Sequence, residues 1–393
     1  MRIREKKNPP GAGRERRVER APAGAAPAAP RRALVLAGGG ARGSFQVGML
    51  DHLVNTAGLD FAILRGVSVG ALNAAFLAQA PAGGSPEESL ASLQERTKAL
   101  VDLWTLRITG NDSIYRERPG GFAGLALGAD SLYSVEGLKR LIASSLDEGK
   151  LAASGRDFRV GYVSLVSGRY EEQGSDAPAF REMVLASSSL PVIFPYVRRE
   201  VPGTPRDVLV DGGVRNITPL RSAFAAQPPA EEIWVLLTSR LDPEPDGELP
   251  DSTARPQRLE QWDDAFLGTK VGGIDVLKRS LELLMDEIYL GDLDTALDWN
   301  TLLAPVEKVL AASGAGPLPP ALSAALDELR RAAGAVGKRA VKLYVLAPRE
   351  WYGEQANDDE RGNDAVSFSP AAIARAVEHG RKVAADPSLW IRK

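Results

Sequence analysis

The pentapeptide Gly66-Val67-Ser68-Val69-Gly70 lies between an apolar run at 61–64 and a helix-like run at 71–77. A strand, a sharp turn and a helix in this order are the context in which G-x-S-x-G forms an elbow that exposes the serine hydroxyl. The flanking glycines allow the tight turn and leave room around the hydroxyl. The N–H groups of the following helix favour negative charge at the same point. Ser68 is therefore a candidate nucleophile at the end of a strand.

A second motif precedes the elbow. An apolar run at 33–37 leads into Gly38-Gly39-Gly40-Ala41-Arg42-Gly43, and an amphipathic, helix-like segment follows. Consecutive glycines let several backbone N–H groups converge on one anion, because no Cβ atoms intervene. We therefore expect this loop to bind developing negative charge.

A third motif follows a later apolar run. Asp211-Gly212-Gly213 comes directly after Val208-Leu209-Val210, so a strand delivers one carboxylate to an open loop. In open α/β sheets, ligands bind at the carboxyl ends of the strands. The serine, the glycine-rich loop and the acid all occupy that position in the sequence pattern.

The alternation of strand-like and helix-like runs predicts an α/β fold with three layers, in which helices cover both faces of a mostly parallel or mixed sheet. Residues 33–393 are expected to form one domain, with a helical insertion at about 257–338. The predicted strands are 33–37, 61–67, 158–166, 207–210, 232–238 and 341–347.

Charge is distributed unevenly along the chain. Residues 1–32 carry ten Lys or Arg and three Glu, whereas the complete chain has a net charge of −3. The abundance of Pro, Ala, Gly and Arg in this segment predicts a disordered basic tail. Such a tail is weakly attracted to anionic lipid surfaces. Nucleic-acid binding is not expected, because the tail lacks aromatic residues and the rest of the chain is acidic.

The chain has no cysteine, which excludes disulfides, thiolate metal sites and a cysteine nucleophile. No histidine or carboxylate pattern has metal-ligand spacing and no P-loop is present, so no metal or cofactor is implied. The sequence shows neither a signal peptide nor an apolar run of membrane-spanning length. We expect a cytoplasmic protein whose contact with membranes is at most peripheral.

Taken together, the three motifs resemble the patatin-like phospholipase family, and the segment Ala186 to Pro195 is also similar to it. The resemblance covers 33–240 well. It implies a patatin-like fold, a Ser68–Asp211 dyad, an oxyanion hole in the Gly38–Gly43 loop and hydrolysis of lipid acyl esters without a metal. In this pattern Gly66 and Gly70 flank the nucleophile, and Gly212 and Gly213 form the acid loop.

Two other interpretations of the motifs remain open at this point. Ser68, Asp211 and His379 follow the Ser–Asp–His order of α/β-hydrolases, although His379 falls in a predicted helix. The glycine-rich loop also matches the dinucleotide fingerprint, with Asp60 about 20 residues further on. However, Asp60 precedes the second strand instead of following it.

The expected activity is that of a phospholipase A or lysophospholipase acting on phospholipid or another lipid ester. A general carboxylesterase or thioesterase with the same dyad is the alternative within enzymes. A catalytically silent lipid-binding protein is the alternative from another class.

Overall fold

A mixed sheet of nine strands holds together the described part of the chain. The computed structural model describes residues 29–200, 206–239, 319–335, 340–349 and 366–392, with individual residues between 280 and 309. The strands are β1 (Arg32–Leu36), β2 (Ile63–Val67), β3 (Arg116–Glu117), β4 (Tyr133–Ser134), β5 (Asp157–Ser164), β6 (Tyr170–Gly174), β7 (Val197–Arg199), β8 (Asp207–Asp211), β9 (Glu232–Leu236), β10 (Lys342–Leu346) and β11 (Ile391–Arg392).

The strand order in the large sheet is β11-β10-β9-β1-β2-β5-β8-β7, and β6 pairs with β5. Strands β10, β9, β1, β2 and β5 are parallel. Strands β6 and β8 pair with β5 in the antiparallel sense, as β7 does with β8 and β11 with β10. Strands β3 and β4 form a separate two-stranded sheet.

Helices cover both faces of the large sheet. On β1, Leu34 and Leu36 belong to one apolar core, whereas Ala33 and Val35 belong to the other. Burial on both faces explains why this strand reads as a continuous apolar run. The helices are α1 (Gly43–Leu50), α2 (Val69–Ala78), α3 (Pro86–Asp102), α4 (Gly121–Ala126), α5 (Glu136–Ser145), α6 (Glu148–Ala153), α7 (Phe180–Ser187), α8 (Leu220–Phe224), α9 (Pro320–Ala335) and α10 (Pro370–Ala385).

The larger core lies between the sheet and the group of α1, α2, α3, α5 and α10, and the smaller core lies under α8. These layers confirm the predicted three-layer α/β/α architecture. All six predicted strands are present, with ends shifted by at most two residues. Strands β3, β4, β6, β7 and β11 were not predicted. None of the described helices is both long enough and apolar enough to cross a membrane.

Parts of the predicted organisation lie outside the described residues. This applies to residues 1–28 of the basic tail, whereas Arg32 already belongs to β1. It also applies to most of the insertion at 257–338, of which α9 and individual helical residues between 280 and 309 are described.

Helices α1 and α10 pack against each other through glycines. A Cβ atom on Gly48 would lie 1.9 Å from the carbonyl oxygen of Val377, and one on Gly380 would lie 2.2 Å from that of Phe45. The two backbones therefore approach too closely for any larger residue. This contact fixes the C-terminal helix against the helix that begins at the end of the glycine-rich loop.

We expect Gly48→Ala to lower the free energy of unfolding by about 1–3 kcal/mol, because overpacking forces two buried helices apart. Urea denaturation measures this change. Gly124→Ala is the matched control, since its Cβ would lie an ordinary 3.5 Å from the nearest atom, the carbonyl oxygen of Pro119. The control should be neutral or slightly stabilising, as expected for Gly→Ala in a helix. Equal stability of Gly48→Ala and the parent would contradict the close contact.

Candidate active site

Ser68 lies at a strained turn between β2 and α2. Its backbone angles are φ 55° and ψ −129°, a region that L-residues seldom occupy. A Cβ on Gly66 would lie 2.4 Å from the carbonyl oxygen of Gly70, and a Cβ on Gly70 would lie 2.1 Å from that of Leu36. Both glycines are therefore required by the close packing of the elbow on itself and on β1. The strain points the half-buried hydroxyl out of the strand end.

The register of β5 brings Asp211 to the serine. Val67, which precedes Ser68, pairs with Gly161, and Asp211 pairs with the next residue, Tyr162. Strands β2 and β8 therefore pair with the same edge of β5, and β8 begins to pair at the residue after the one where β2 ends. The two strand ends meet there, close enough for the Ser68 side chain to lower the pKa of the Asp211 carboxyl.

The acid loop holds that carboxylate in place. The N–H group of Gly213 donates a hydrogen bond of 2.7 Å to Asp211 Oδ1, and the Asp211 N–H donates one of 3.0 Å to the Ser189 carbonyl oxygen. A Cβ on Gly212 would lie 2.6 Å from the Gly161 carbonyl oxygen, so the loop must pass β5 without a side chain.

Burial dominates the electrostatics of the acid. Asp211 is 3% exposed, and this burial raises its pKa to about 7, although the hydrogen bonds from Ser68 and the Gly213 N–H act in the opposite direction. An ordinary aspartate, with a pKa of about 3.9, is a much weaker base. The site therefore holds a carboxylate that can accept a proton near neutral pH.

The glycine-rich loop lies against the same serine. A Cβ on Gly38 would lie 3.1 Å from Ser68 Cβ. Gly39 and Gly40 have positive φ values of 148° and 58°, which favour glycine. Among the described residues, nothing accepts a hydrogen bond from the N–H groups of Gly39, Gly40 or Ala41. Three consecutive donors are thus free near the hydroxyl.

The other three predicted loop residues have different roles. The Gly38 N–H donates to the carbonyl oxygen of Ile217 at 3.1 Å, and the N–H groups of Arg42 and Gly43 donate to carbonyl oxygens within the loop itself. The guanidinium group of Arg42 is buried and contacts the Gly39 carbonyl oxygen and Ser239 Oγ, both at 3.4 Å. Arg42 therefore braces the loop from inside instead of lying on the surface.

Serines at the end of α7 join the elements of the site. Ser187 Oγ accepts a hydrogen bond from the Ser68 N–H at 2.9 Å and donates one to the Gly161 carbonyl oxygen at 2.5 Å. The neighbouring Ser189 carbonyl oxygen accepts from Asp211, as described above. This serine run satisfies backbone groups around the elbow.

An apolar pocket opens beside Ser68. It contains about 710 Å³ of non-protein space, its open mouth included. Val69, Leu72, Asn73 and Phe76, which share one face of α2, form one wall, so the pocket follows this helix for about 10 Å. Its other lining residues are mostly apolar: Gly40, Leu100, Leu103, Trp104, Ile108, Ile114, Leu138, Leu141, Ile142, Ser145, Leu146, Ser188, Phe194 and Phe368.

Residues 34–224 match the family model described as patatin-like phospholipase. This part of the chain belongs to the patatin-like phospholipase family. No curated protein matches the chain. Among solved structures, the crystal structure of VipD from Legionella pneumophila is similar, with 12% sequence identity and a TM-score of 0.33. That match covers 93% of this chain and 68% of the VipD chain, and at this similarity it carries no argument.

A buried polar chain links the pocket of the patatin-like domain to its glycine-rich loop. Trp104 Nε1 donates to Asn73 Oδ1 at 2.9 Å, and Asn73 Nδ2 donates to Gln46 Oε1 at 3.1 Å and to the Gly43 carbonyl oxygen at 3.2 Å. Gln46 Nε2 in turn donates to the carbonyl oxygens of Ala37 and Leu236 at 2.8 and 3.0 Å. Both ends of the loop are thereby tied to the pocket wall. Sequence analysis missed this chain, although a lone Asn in the apolar helix α2 was a visible signal.

The histidine alternative receives no support from the patatin-like domain. His379 lies within α10, where its Nε2 accepts a hydrogen bond from the Arg349 N–H at 3.2 Å and its ring lies 5.3 Å from that of Phe45. The Ser68 side chain instead acts on the Asp211 carboxyl, whose pKa it lowers.

Asp60 does not fit the dinucleotide alternative. Its carboxylate forms an ion pair of 2.8 Å with Arg156 and accepts a hydrogen bond of 2.6 Å from Ser89 Oγ. These contacts, at the end of β2 opposite Ser68, give Asp60 a structural role. Among the described residues, no group of three or more His, Asp or Glu side chains is arranged to hold a metal ion.

We expect Asp211→Asn to change how stability depends on pH. The folded protein holds the Asp211 proton more tightly than the unfolded chain, because burial raises this pKa from about 3.8 to about 7. The contribution of this proton to the free energy of unfolding is therefore fully present below about pH 4. It is lost as the pH rises towards 7, by about 1.4 kcal/mol per pH unit. Urea denaturation from pH 5 to 8 should show Asp211→Asn gaining stability relative to the parent. A constant difference over this range would contradict the raised pKa.

Proposed function

We propose that this protein is a serine hydrolase of lipid acyl esters, of the phospholipase A or lysophospholipase type, which uses Ser68 as nucleophile and Asp211 as base. The observation that carries the proposal is the strand register that places Ser68 beside Asp211, a buried carboxylate whose pKa is about 7 and responds to the Ser68 side chain. Membership of the patatin-like phospholipase family supports a lipid substrate.

The first half of the reaction forms an acyl-enzyme. As Ser68 Oγ attacks the ester carbonyl carbon, Asp211 accepts the hydroxyl proton, and a positioned base of matched pKa makes this transfer efficient. The carbonyl oxygen becomes an oxyanion that accepts hydrogen bonds from the free N–H groups of Gly39, Gly40 and Ala41. When the tetrahedral intermediate collapses, the bond to the alcohol breaks and the alcohol leaves with the proton from Asp211.

The second half regenerates the enzyme. Asp211 accepts a proton from water while the water oxygen attacks the acyl carbon. Collapse of the second tetrahedral intermediate returns the proton to Ser68 Oγ and releases the fatty acid. No metal ion takes part in this scheme, because residues of this chain bind the oxyanion and transfer both protons.

The pocket supports an acyl substrate. Its lining is mostly apolar and includes Ser68, so a hydrocarbon chain that enters the pocket brings its carbonyl group to the hydroxyl. Burial of such a chain contributes about 0.8 kcal/mol per CH₂ group. The same pocket accommodates simple esters and thioesters, and substrate comparison separates these from phospholipids.

We expect Ser68→Ala to abolish both ester hydrolysis and labelling by a fluorophosphonate probe, because both need the serine oxygen. Asp211→Asn should fold, retain the pocket and lower kcat by about 10²–10⁴-fold through loss of the base. His379→Ala is the control and should retain near-parental activity. Hydrolysis of mixed phospholipids, followed by lipid mass spectrometry, and of short-chain esters measures the rates.

Each outcome distinguishes the candidates. Fatty acid release from phospholipids supports the phospholipase, and release from simple esters or thioesters alone supports the general esterase. A parent protein that binds lipid but takes no fluorophosphonate label is a silent binding protein. Collapse of activity in His379→Ala would overturn the dyad.

The rate should also depend on pH through Asp211. Because the base must be ionised, kcat/KM should rise about tenfold per pH unit below 7 and reach a plateau above it. A plateau that starts near pH 4 would mean that the base is an ordinary carboxylate and would contradict the role of burial. The pH–rate profile on a soluble, uncharged ester measures this without effects of lipid packing.

A further inference from the structure

The turn between β5 and β6 exposes two aliphatic side chains. Leu165 is 54% exposed and Val166 is 70% exposed, at the tip of a turn that ends with exposed Arg169. Adjacent exposed aliphatics of this size are costly in water and mark contact surfaces when they lie together.

This turn projects beyond the catalytic pair. Strand β5 passes Asp211 at Tyr162 and continues for three residues to Leu165, a distance of about 10 Å along the strand. Because β5 runs parallel to β2, this continuation points outward from the sheet edge that carries Ser68. The aliphatic tip therefore lies beyond the same edge of the sheet as Ser68 and Asp211.

The loop after the acid adds to the same surface. Val214 is 40% exposed and comes three residues after Asp211. The neighbouring Arg215 Nη1 donates a hydrogen bond of 2.7 Å to the Gly168 carbonyl oxygen, which joins this loop to the turn. We call the surface formed by Leu165, Val166, Arg169, Val214 and Arg215 the docking tip.

The docking tip carries positive charge. Arg169 and Arg215 are exposed, and neither forms an ion pair with a carboxylate among the described residues. On the adjoining strands, Arg199 is shared by Asp207 at 2.9 Å and Glu171 at 3.4 Å, and the Glu172 carboxylate accepts a hydrogen bond of 3.2 Å from the Tyr170 hydroxyl. Aliphatic side chains flanked by unpaired cations match the interface of a membrane that contains anionic lipids.

We propose that the docking tip seats the protein on an anionic phospholipid surface, with the mouth of the Ser68 pocket facing the lipid. The aliphatic residues enter the acyl boundary and the two arginines contact headgroup phosphates. This proposal rests on the proposed function, because the orientation lets a lipid ester reach Ser68 from the membrane to which the docking tip is bound. Binding itself requires no turnover.

The experiment measures vesicle binding of the full chain in a Ser68→Ala background, which prevents hydrolysis. Cosedimentation compares phosphatidylglycerol-rich vesicles with pure phosphatidylcholine vesicles. We expect Leu165→Ser/Val166→Ser to weaken binding to both vesicle types by about tenfold or more. Arg169→Gln/Arg215→Gln should weaken binding to the anionic vesicles by a similar factor and reduce the salt dependence of that binding.

Matched controls come from exposed residues outside the docking tip. Leu106 is 69% exposed, and its neighbour Arg107 is hydrogen-bonded to Ser144 and Ser145, at the end of α5. Leu106→Ser and the exposed Arg140→Gln should bind both vesicle types like the parent. In active protein, the docking-tip variants should hydrolyse a soluble short-chain ester at the parental rate and vesicle phospholipid more slowly.

The outcomes separate this proposal from the proposed function. If the protein hydrolyses no ester but binds vesicles through the docking tip, the proposed enzymatic function is wrong and the proposed membrane surface stands. If both double variants bind vesicles like the parent, the proposed membrane surface is wrong and the proposed enzymatic function stands. This holds whether or not the basic N-terminal segment binds the vesicles. A docking-tip variant that dissociates a dimer in ultracentrifugation but binds vesicles normally would reassign the tip to self-association and overturn the membrane role.

Discussion

The pairing of two strands with consecutive residues of β5 is the constraint on which the candidate site depends. Val67 pairs with Gly161 and Asp211 with Tyr162, so one strand edge carries the end of β2 and the end of β8 side by side. A slip of β8 by one residue would turn Asp211 to the other face of the sheet. Ser187 Oγ, at the end of α7, donates a hydrogen bond to the Gly161 carbonyl oxygen and accepts one from the Ser68 N–H. These two bonds hold the end of β2 against β5. Hydrogen-bond register, more than the identity of any loop residue, brings Ser68 to Asp211.

Burial then sets the chemistry of this arrangement. Few polar groups reach Asp211, so the carboxylate loses water without gaining a cation, and its pKa rises. The same low-polarity surroundings strengthen hydrogen bonds from the free N–H groups of the glycine-rich loop. The chain from Trp104 through Asn73 and Gln46 holds that loop with neutral side chains, and the buried Arg42 guanidinium holds it from within.

Much of this could be predicted from sequence, for identifiable reasons. Strands such as β1 are buried on both faces, so they appear as apolar runs, and the motif residues stand where those runs end. Strand β6 (Tyr-Glu-Glu-Gln-Gly) is polar and β7 has three residues, so neither shows a period. The antiparallel entry of β8, which decides where Asp211 lies, leaves no local signal at all. Arg42 was equally consistent with a surface cation, and its burial became visible only from the packing around the loop.

The glycine contact between α1 and α10 links the glycine-rich loop to a helix that lies far along the chain. Helix α1 starts at Gly43, where the loop ends, and its packing partner starts at Pro370. During translation the loop and the serine elbow therefore emerge well before α10, the helix that packs behind α1. A nascent chain carries both motifs before this packing is available, so that the final placement of the glycine-rich loop waits for the synthesis of α10.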